Sequence, residues 1–536
     1  MSDRSSMNDS KQEWSTSSWR SKPVAQDVVY PDAENLSTVL QQLKSLPGLV
    51  TPTEVDRLRK QLADVADGKS FLLQSGDCAE LFSYCNPTQI EAKLKLSLLM
   101  SLIIIWGARV PVVRLGRVAG QYAKPRSKAT EVVDFDGEKK EVLTFRGDNV
   151  NGFDVRDRKP DPERLLKAYF HSSATLNHIR ASLSSGFADL HAPMSWSFSH
   201  VRSPALQAEF ERIVESLTDA LDFMKTVGAD PESRSESGSS LSSVDYYISH
   251  EGLMLEYEEA LTRVQKPSSK GLHSNSSAER EERTPSEVPY VLSAHTIWLG
   301  DRTRQLDGAH IEFFRGIRNP VGIKVGPSMK PDELVKLLDV IDPRCERGRV
   351  TLIGRYGAKN VDALLPAHIR AVNASSHAQS VIWCCDPMHG NTTSSPSNPS
   401  VKTRLFSDIV TELASALRIH QSLGSRLGGV HLELTGDMDE NGFSVTECVG
   451  GSMQLQDRDL ARNYQSHCDP RLNYEQSLDI AFLISHFLRG QRLGKTSGAF
   501  SPAPASTLVN DQAGGSPNEE QDQILSELVK GISARP

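Results

Sequence analysis

Short segments rich in branched apolar residues alternate with longer helical patterns, and segment after segment ends in a chemically capable side chain. These two observations predict an α/β fold closed as a (β/α)8 TIM barrel, with an N-terminal extension and inserted helices and loops. The apolar segments are Phe71 to Ser75, Val110 to Leu115, Tyr290 to Trp298, Val321 to Gly326, Val350 to Gly357, Ser380 to Pro387 and Gly429 to Gly436. Runs of this length and composition read as parallel strands buried on both faces. Helices announce themselves by their caps. Asn86 before Pro87 opens one that runs to Gly107, and Asp161 before Pro162 opens another that ends near Gly186. Asn473 with Gln476 three residues on is a capping box leading to Gly490.

The polar residues at the segment ends favour a barrel over an open sheet. Cys78, Arg117, Asp301 with Arg302, Lys324, Arg355, His389 and Glu433 follow different strands, and a barrel gathers its active site from the C-terminal ends of many strands. An open doubly wound sheet concentrates binding at one switch point behind a Gly-rich turn. The chain has neither a G-x-G-x-x-G nor a Walker A motif.

The expected organisation is a disordered start over residues 1–13, an N-terminal extension over 14–70, and a catalytic barrel over 71–490. A largely disordered tail with a short helix is expected over 491–536. Ser-rich, core-poor stretches near 230–243, 266–287, 391–399 and 501–520 read as solvated loops or disordered insertions, because they lack apolar residues to offset ordering entropy.

With 60 basic against 68 acidic residues the formal charge is -8, which offers no global attraction to nucleic acid or to an anionic membrane. Anionic ligands must be held by a local basic pocket. The seven cysteines are scattered and odd in number, which fits a reducing compartment. The start MSDRSSMNDSKQEW has no apolar core for a signal peptide, and the longest apolar run, Leu96 to Trp106, is far short of the ~20 residues that span a bilayer. A cytoplasmic protein is expected.

Two constellations carry chemistry. Cys78, His389, Glu433 and Asp469 each lie beside a strand end or in an Asp-Pro turn. A thiolate, an imidazole and two carboxylates suit a divalent first-row ion better than calcium. Taken singly, each such residue is more often ordinary packing. The second constellation is cationic: Arg117, Lys124, Arg126, Arg302, Lys324 and Arg355. Guanidinium forks match phosphate and carboxylate oxygens, and a strand-embedded lysine such as Lys324 needs a partner.

The motifs SGDCAELF (Ser75 to Phe82), GRVAGQYAKPRS (Gly116 to Ser127), SAHTIWLGDRTRQLDGAHIEF (Ser293 to Phe313), NPVGIKVGPS (Asn319 to Ser328), CDPMHGNT (Cys385 to Thr392), GGVHLELTGD (Gly428 to Asp437) and CDPRLN (Cys468 to Asn473) resemble class II 3-deoxy-D-arabino-heptulosonate 7-phosphate (DAHP) synthases. The resemblance runs from about Trp14 to Gly490 and keeps motif order, which makes it specific. It implies a metal site at Cys78, His389, Glu433 and Asp469, the four residues singled out above. It implies a phosphoenolpyruvate site at Arg117, Lys324 and Arg355, with Asp301 and Arg302 in the following turn and Trp298 nearby. Arg126, Ser127 and Arg302 would face the phosphate of erythrose 4-phosphate, and Lys124 would place the aldose.

The implied activity is that of a transferase: metal-dependent condensation of phosphoenolpyruvate, erythrose 4-phosphate and water to DAHP and phosphate. This is the first step of the shikimate pathway to aromatic amino acids, in a housekeeping enzyme or a duplicate serving a secondary pathway. A related condensation on an amino or imino aldose phosphate, and a non-catalytic regulatory paralogue, stand as alternatives. The implied cofactor is Mn2+ first, then Co2+, Zn2+ or Cd2+; the implied assembly is a homodimer or homotetramer, with chorismate mutase as a partner.

Departures from the family pattern are expected to tune rather than abolish activity. Asp301 stands where the family usually has Glu, Ser75 where Gly is common, and Tyr356 where Met is usual, and Met438 to Ser444 reads as a lengthened loop. Cys468 adjoins Asp469 and admits two readings. It is a redox partner that pairs with Cys78 on oxidation and evicts the metal, or a reduced thiol packed beneath the site.

Overall fold

A computed structural model describes residues 13–135, 137–185, 204–226, 244–267 and 287–493. Eight parallel strands close into a barrel: β1 (Phe71–Gly76), β2 (Val112–Arg117), β3 (Tyr247–Glu251), β4 (Thr296–Leu299), β5 (Val321–Val325), β6 (Val350–Gly354), β7 (Ile382–Cys385) and β8 (Leu427–Glu433). Each strand pairs with its neighbours in chain order, and β8 returns to pair with β1. The (β/α)8 architecture expected from the alternating pattern is present. Every residue of β1, β4, β5, β6, β7 and β8 is buried, because helices cover the outside and side chains fill the inside.

The register decides what meets at the top of the barrel. Gly76, the last residue of β1, lies level with Arg117 of β2 on one side and Glu433 of β8 on the other. Its φ of +147° and the 2.6 Å separation between a built Cβ and the Arg117 carbonyl oxygen leave no room for a side chain. Glycine here lets the ends of β1 and β2 close together.

The helical layer follows from its caps and faces. The helix α1 (Ala33–Ser45) and the helix α2 (Pro52–Ala66) precede β1. Thr51 and Glu54 form a capping box at the start of α2, with Pro52 in the first turn, and Val55, Leu58, Leu62 and Val65 are turned inward. The helix α3 (Pro87–Ala108) is capped by Asn86, and its second half, from Leu96, is apolar on nearly every face and largely buried. It packs closely on the last described helix, α4 (Tyr474–Arg492), whose Asn473 and Gln476 form the expected capping box. No described helix is long and apolar enough to cross a membrane.

Several elements differ from their sequence reading. β3, with the sequence YISHE, is not among the apolar segments, because three of its five residues, Ser, His and Glu, are polar. The segment Tyr290 to Trp298 divides in two: Val288–Val291 pairs antiparallel with Thr262–Gln265, and only Thr296–Leu299 joins the barrel. The Ser-rich stretch beginning at Asn391 is not simply a loop, since Thr392–Ser394 pairs with Lys402–Arg404. A further hairpin, Thr130–Phe135 with Glu138–Leu143, follows the KPRS segment after β2. The helix opened by Pro162 ends at Ser184. The expected insertions at 230–243 and 268–286, the start at 1–12 and the tail from 494 lie outside the described residues.

Candidate active site

The C-terminal ends of the strands surround a cavity of about 200 Å³. Arg117, Lys124, Trp298, Asp301, Arg302, Lys324, Arg355, His389 and Asp469, all expected from sequence, line it, together with Gln121 and Glu251, which were not.

The cations are held in different ways. Arg117 is fully buried. It donates to the Asp77 carbonyl at 2.9 Å and to Glu433 at 2.8 Å, and its guanidinium lies 5.2 Å from the Trp298 ring centre. Lys324 is ion-paired with Asp386. Burial pulls this lysine below its ordinary value, against the pull of Asp386. Lys124 lies 3.1 Å from the Cys78 sulfur. Burial lowers it too, but Cys468, Cys78, Glu433 and Asp469 outweigh burial and hold it well above the ordinary lysine range. Arg355 donates to Asp301 at 3.1 Å and to the His389 carbonyl at 2.9 Å. Arg302 is exposed at the rim.

The four expected metal ligands converge as two pairs. Cys78 Sγ is 3.9 Å from Asp469 Oδ2, and His389 Nε2 is 2.9 Å from Glu433 Oε1. His389 Nδ1 is 2.7 Å from Asp386 Oδ2, which fixes the ring and turns Nε2 toward Glu433. A ring nitrogen and a carboxylate oxygen facing each other at that distance need a proton or a cation between them. The donor set is therefore chemically suited to a divalent ion. Burial pushes Glu433 up, but His389, Arg404 and Arg117 outweigh it and hold the carboxyl well below its ordinary range. Cys468 joins the group: donor atoms of Cys78, Cys468 and Asp469 all lie within 4.8 Å of one another. A hydrogen bond from Cys78 lowers the Cys468 thiol to about 7, while burial raises that of Cys78.

Two expected substrate residues stand apart. The Arg126 guanidinium turns to Glu131 at 3.4 Å, and Ser127 is exposed; neither lines the cavity. Asp301, on the cavity wall, pairs through its carboxylate with Arg304 at 3.0 Å and Arg355 at 3.1 Å.

Three residues that matter were not singled out. Arg404 is wholly buried and pairs with Glu433 at 2.8 Å, yet it sits in a short hairpin, away from the strand-end pattern. Asp386 binds both Lys324 and His389; its place in CDPMHG was the available signal. Glu251 ends the short β3, and its buried Oε1 has no hydrogen-bond partner among the described residues.

A closed (β/α)8 barrel with a cation-lined cavity beside a sulfur, nitrogen and oxygen donor set defines a barrel enzyme of the kind that handles small anions. Residues 14–485 match the family model described as the Class-II DAHP synthetase family, and the chain belongs to that family. A phospho-2-dehydro-3-deoxyheptonate aldolase of Neurospora crassa is 51% identical over 483 residues, covering 90% of this chain and 96% of that protein. One from Streptomyces coelicolor is 44% identical over 475 residues, covering 88% and 97%. A solved structure of the Francisella tularensis SCHU S4 protein of the same name aligns with a TM-score of 0.42 at 12% identity, over 86% of this chain and 97% of that one.

Proposed function

We propose that this chain condenses phosphoenolpyruvate with erythrose 4-phosphate and water, giving DAHP and phosphate, with a divalent ion held by Cys78, His389, Glu433 and Asp469. The observation that carries the reading is the cavity itself: five cationic side chains beside two pairs of metal-competent donors. The names of the two relatives support it.

The side chains divide the work. Arg117 and Lys324 would receive the carboxylate of phosphoenolpyruvate against the Trp298 ring, while Arg355 and Arg302 take its phosphate. Lys124 would place the aldose, whose phosphate is left to Arg302 at the rim and to Arg126 and Ser127, which follow Lys124 in the loop after β2. Holding two mutually repelling anions in contact is the main task of these groups, and such positioning can supply roughly 7 to 11 kcal/mol in the best intramolecular models. A bound ion would supply Lewis acidity toward the aldehyde oxygen, and the donor set admits Mn2+, Co2+, Zn2+ or Cd2+, with Mn2+ proposed first.

The test is release of phosphate by purified protein, stripped with chelator and then given Mn2+, phosphoenolpyruvate and erythrose 4-phosphate. Metal-dependent turnover is expected, and its absence would overturn the reading. We carry three further proposals with it: a homodimer or homotetramer, association with chorismate mutase, and a Cys78–Cys468 disulfide under oxidant. Light scattering, co-elution and thiol-reversible loss of activity test them in turn.

A further inference from the structure

We infer that the opposite mouth of the barrel holds a second binding site, for a small organic anion with an apolar body. There, beneath the first residues of β1 and β8, lies a cavity of about 610 Å³. It is reached by the ends of α3 and α4 and by the helix Phe406–Ser422, and it shares no lining residue with the catalytic cavity.

Its chemistry is two-sided. Phe71, Val110, Leu417, Leu427 and Phe487 supply apolar surface, and the guanidiniums of Arg109, Arg426 and Arg492 supply charge. None of the three arginines has a carboxylate partner among the described residues. Arg109 stacks on Trp106 at 4.1 Å, Arg426 donates to the Gly68 carbonyl at 2.8 Å, and Arg492 donates to the Gly107 carbonyl at 3.4 Å. The nearby His420 adds no cation of its own. Burial pulls it down to about 3, and its Nδ1 lies 3.0 Å from the Ser425 hydroxyl.

Two local features gather these charges in spite of their repulsion. Arg109 terminates α3 with φ +57°, a left-handed position where glycine is the usual choice. Burial and the charges of Arg492 and Arg489 pull Arg109 below its ordinary value. Gly68, at φ +72°, leaves open the space that the Arg426 guanidinium fills: a Cβ there would lie 1.4 Å from Arg426 Nη1. Cations are favoured at helix C-termini, which accounts for Arg109 and Arg492 singly. It does not account for Arg426, which is bound to a loop carbonyl instead. Guanidiniums collected without counter-charge over an apolar wall fit a ligand with acidic oxygens and a hydrophobic body.

The test is calorimetric titration of the full chain with phenyl phosphate and, separately, inorganic phosphate. Arg355→Ala handicaps the catalytic cavity, so binding that persists in this variant reports the second site. Replacing both Arg109 and Arg426 by Ala is expected to weaken that binding at least about tenfold, as for loss of charge-assisted bonds. Should that variant fold poorly, Gly490→Glu serves. A side chain at 490 meets no neighbour within 4 Å, and its carboxylate would occupy the arginines and compete to the same extent. Phenyl phosphate is expected to bind at least about fivefold more tightly than phosphate, because its ring buries apolar area. Binding that disappears in Arg355→Ala, or that is unchanged in both second-site variants, overturns the site. Equal affinity for the two probes overturns the ligand class.

Discussion

Replacing Asp301 by Asn tests how the cavity holds Arg355. In the structure the Asp301 carboxylate bridges Arg304 at 3.0 Å and Arg355 at 3.1 Å, and Arg304 is pinned further by Glu333 at 2.6 Å and Ser328 at 2.8 Å. The amide keeps an acceptor but loses the charge, so Arg355 relaxes while Arg304 stays. A charge-assisted hydrogen bond contributes about 1.5 to 3 kcal/mol when dry. Here the two side chains are 24% and 26% exposed, and screening reduces the loss to about 1 kcal/mol. Arg355 keeps its bond to the His389 carbonyl, so the arginine is loosened and not released. The expected result is a KM for phosphoenolpyruvate raised about fivefold, with kcat changed less than about threefold. Steady-state phosphate release across phosphoenolpyruvate concentrations measures both, and a thermal melt checks that the fold is intact. A kcat reduced about a hundredfold with unchanged KM would refute the reasoning, because it would place Asp301 in the chemistry instead of behind Arg355.

Other perturbations reach different links of the chain. Glu433→Gln leaves Arg117 and Arg404 buried against a neutral group, and a stability loss of about 3 to 5 kcal/mol is expected in denaturant titrations, together with weaker metal retention by elemental analysis. Glu412 is raised to about 7, first by burial, while it accepts from the Tyr356 and Gly357 amides and from Asn391. A carboxyl raised on folding contributes most below its unfolded value and loses that contribution as pH rises through the folded one. Wild-type stability should therefore fall by about 3 kcal/mol between pH 4.5 and 8 from this group, and Glu412→Gln should flatten that slope in unfolding curves. Thr51→Ala removes the α2 capping box at a distance from the cavity; a loss of about 1 kcal/mol with unchanged kcat is expected from denaturation and rate measurements.

Much of this was legible in the residues for a physical reason: strands buried on both faces have to be apolar, and side chains that break that rule at their ends have to do something else. That logic located Arg117, Lys324 and Glu433. It passed over Tyr247–Glu251, because a five-residue strand with three polar residues does not stand out, and Glu251 was lost with it. Arg404 was illegible for another reason. Its role depends on a hairpin folding across the mouth of the barrel, which no local pattern announces. The pairing of Cys78 with Asp469 could not be read from spacing at all. Their donor chemistry and their place at a strand end and an Asp-Pro turn grouped them, and the resemblance of their motifs gave the grouping its specificity.

The contact between Cys78 and Asp469 spans 391 positions, and it exists only because the last barrel strand returns to the first. A growing chain that has emerged as far as β7 carries all five cations of the cavity, but none of His389, Glu433 and Asp469. During synthesis the donor set is therefore completed last, after almost the whole barrel is available to receive it. A product truncated there would hold the cations of the cavity without three of the four donor residues that face them. Because the ring closes through β1 and β8, the two ends of the site come together only when the barrel is complete.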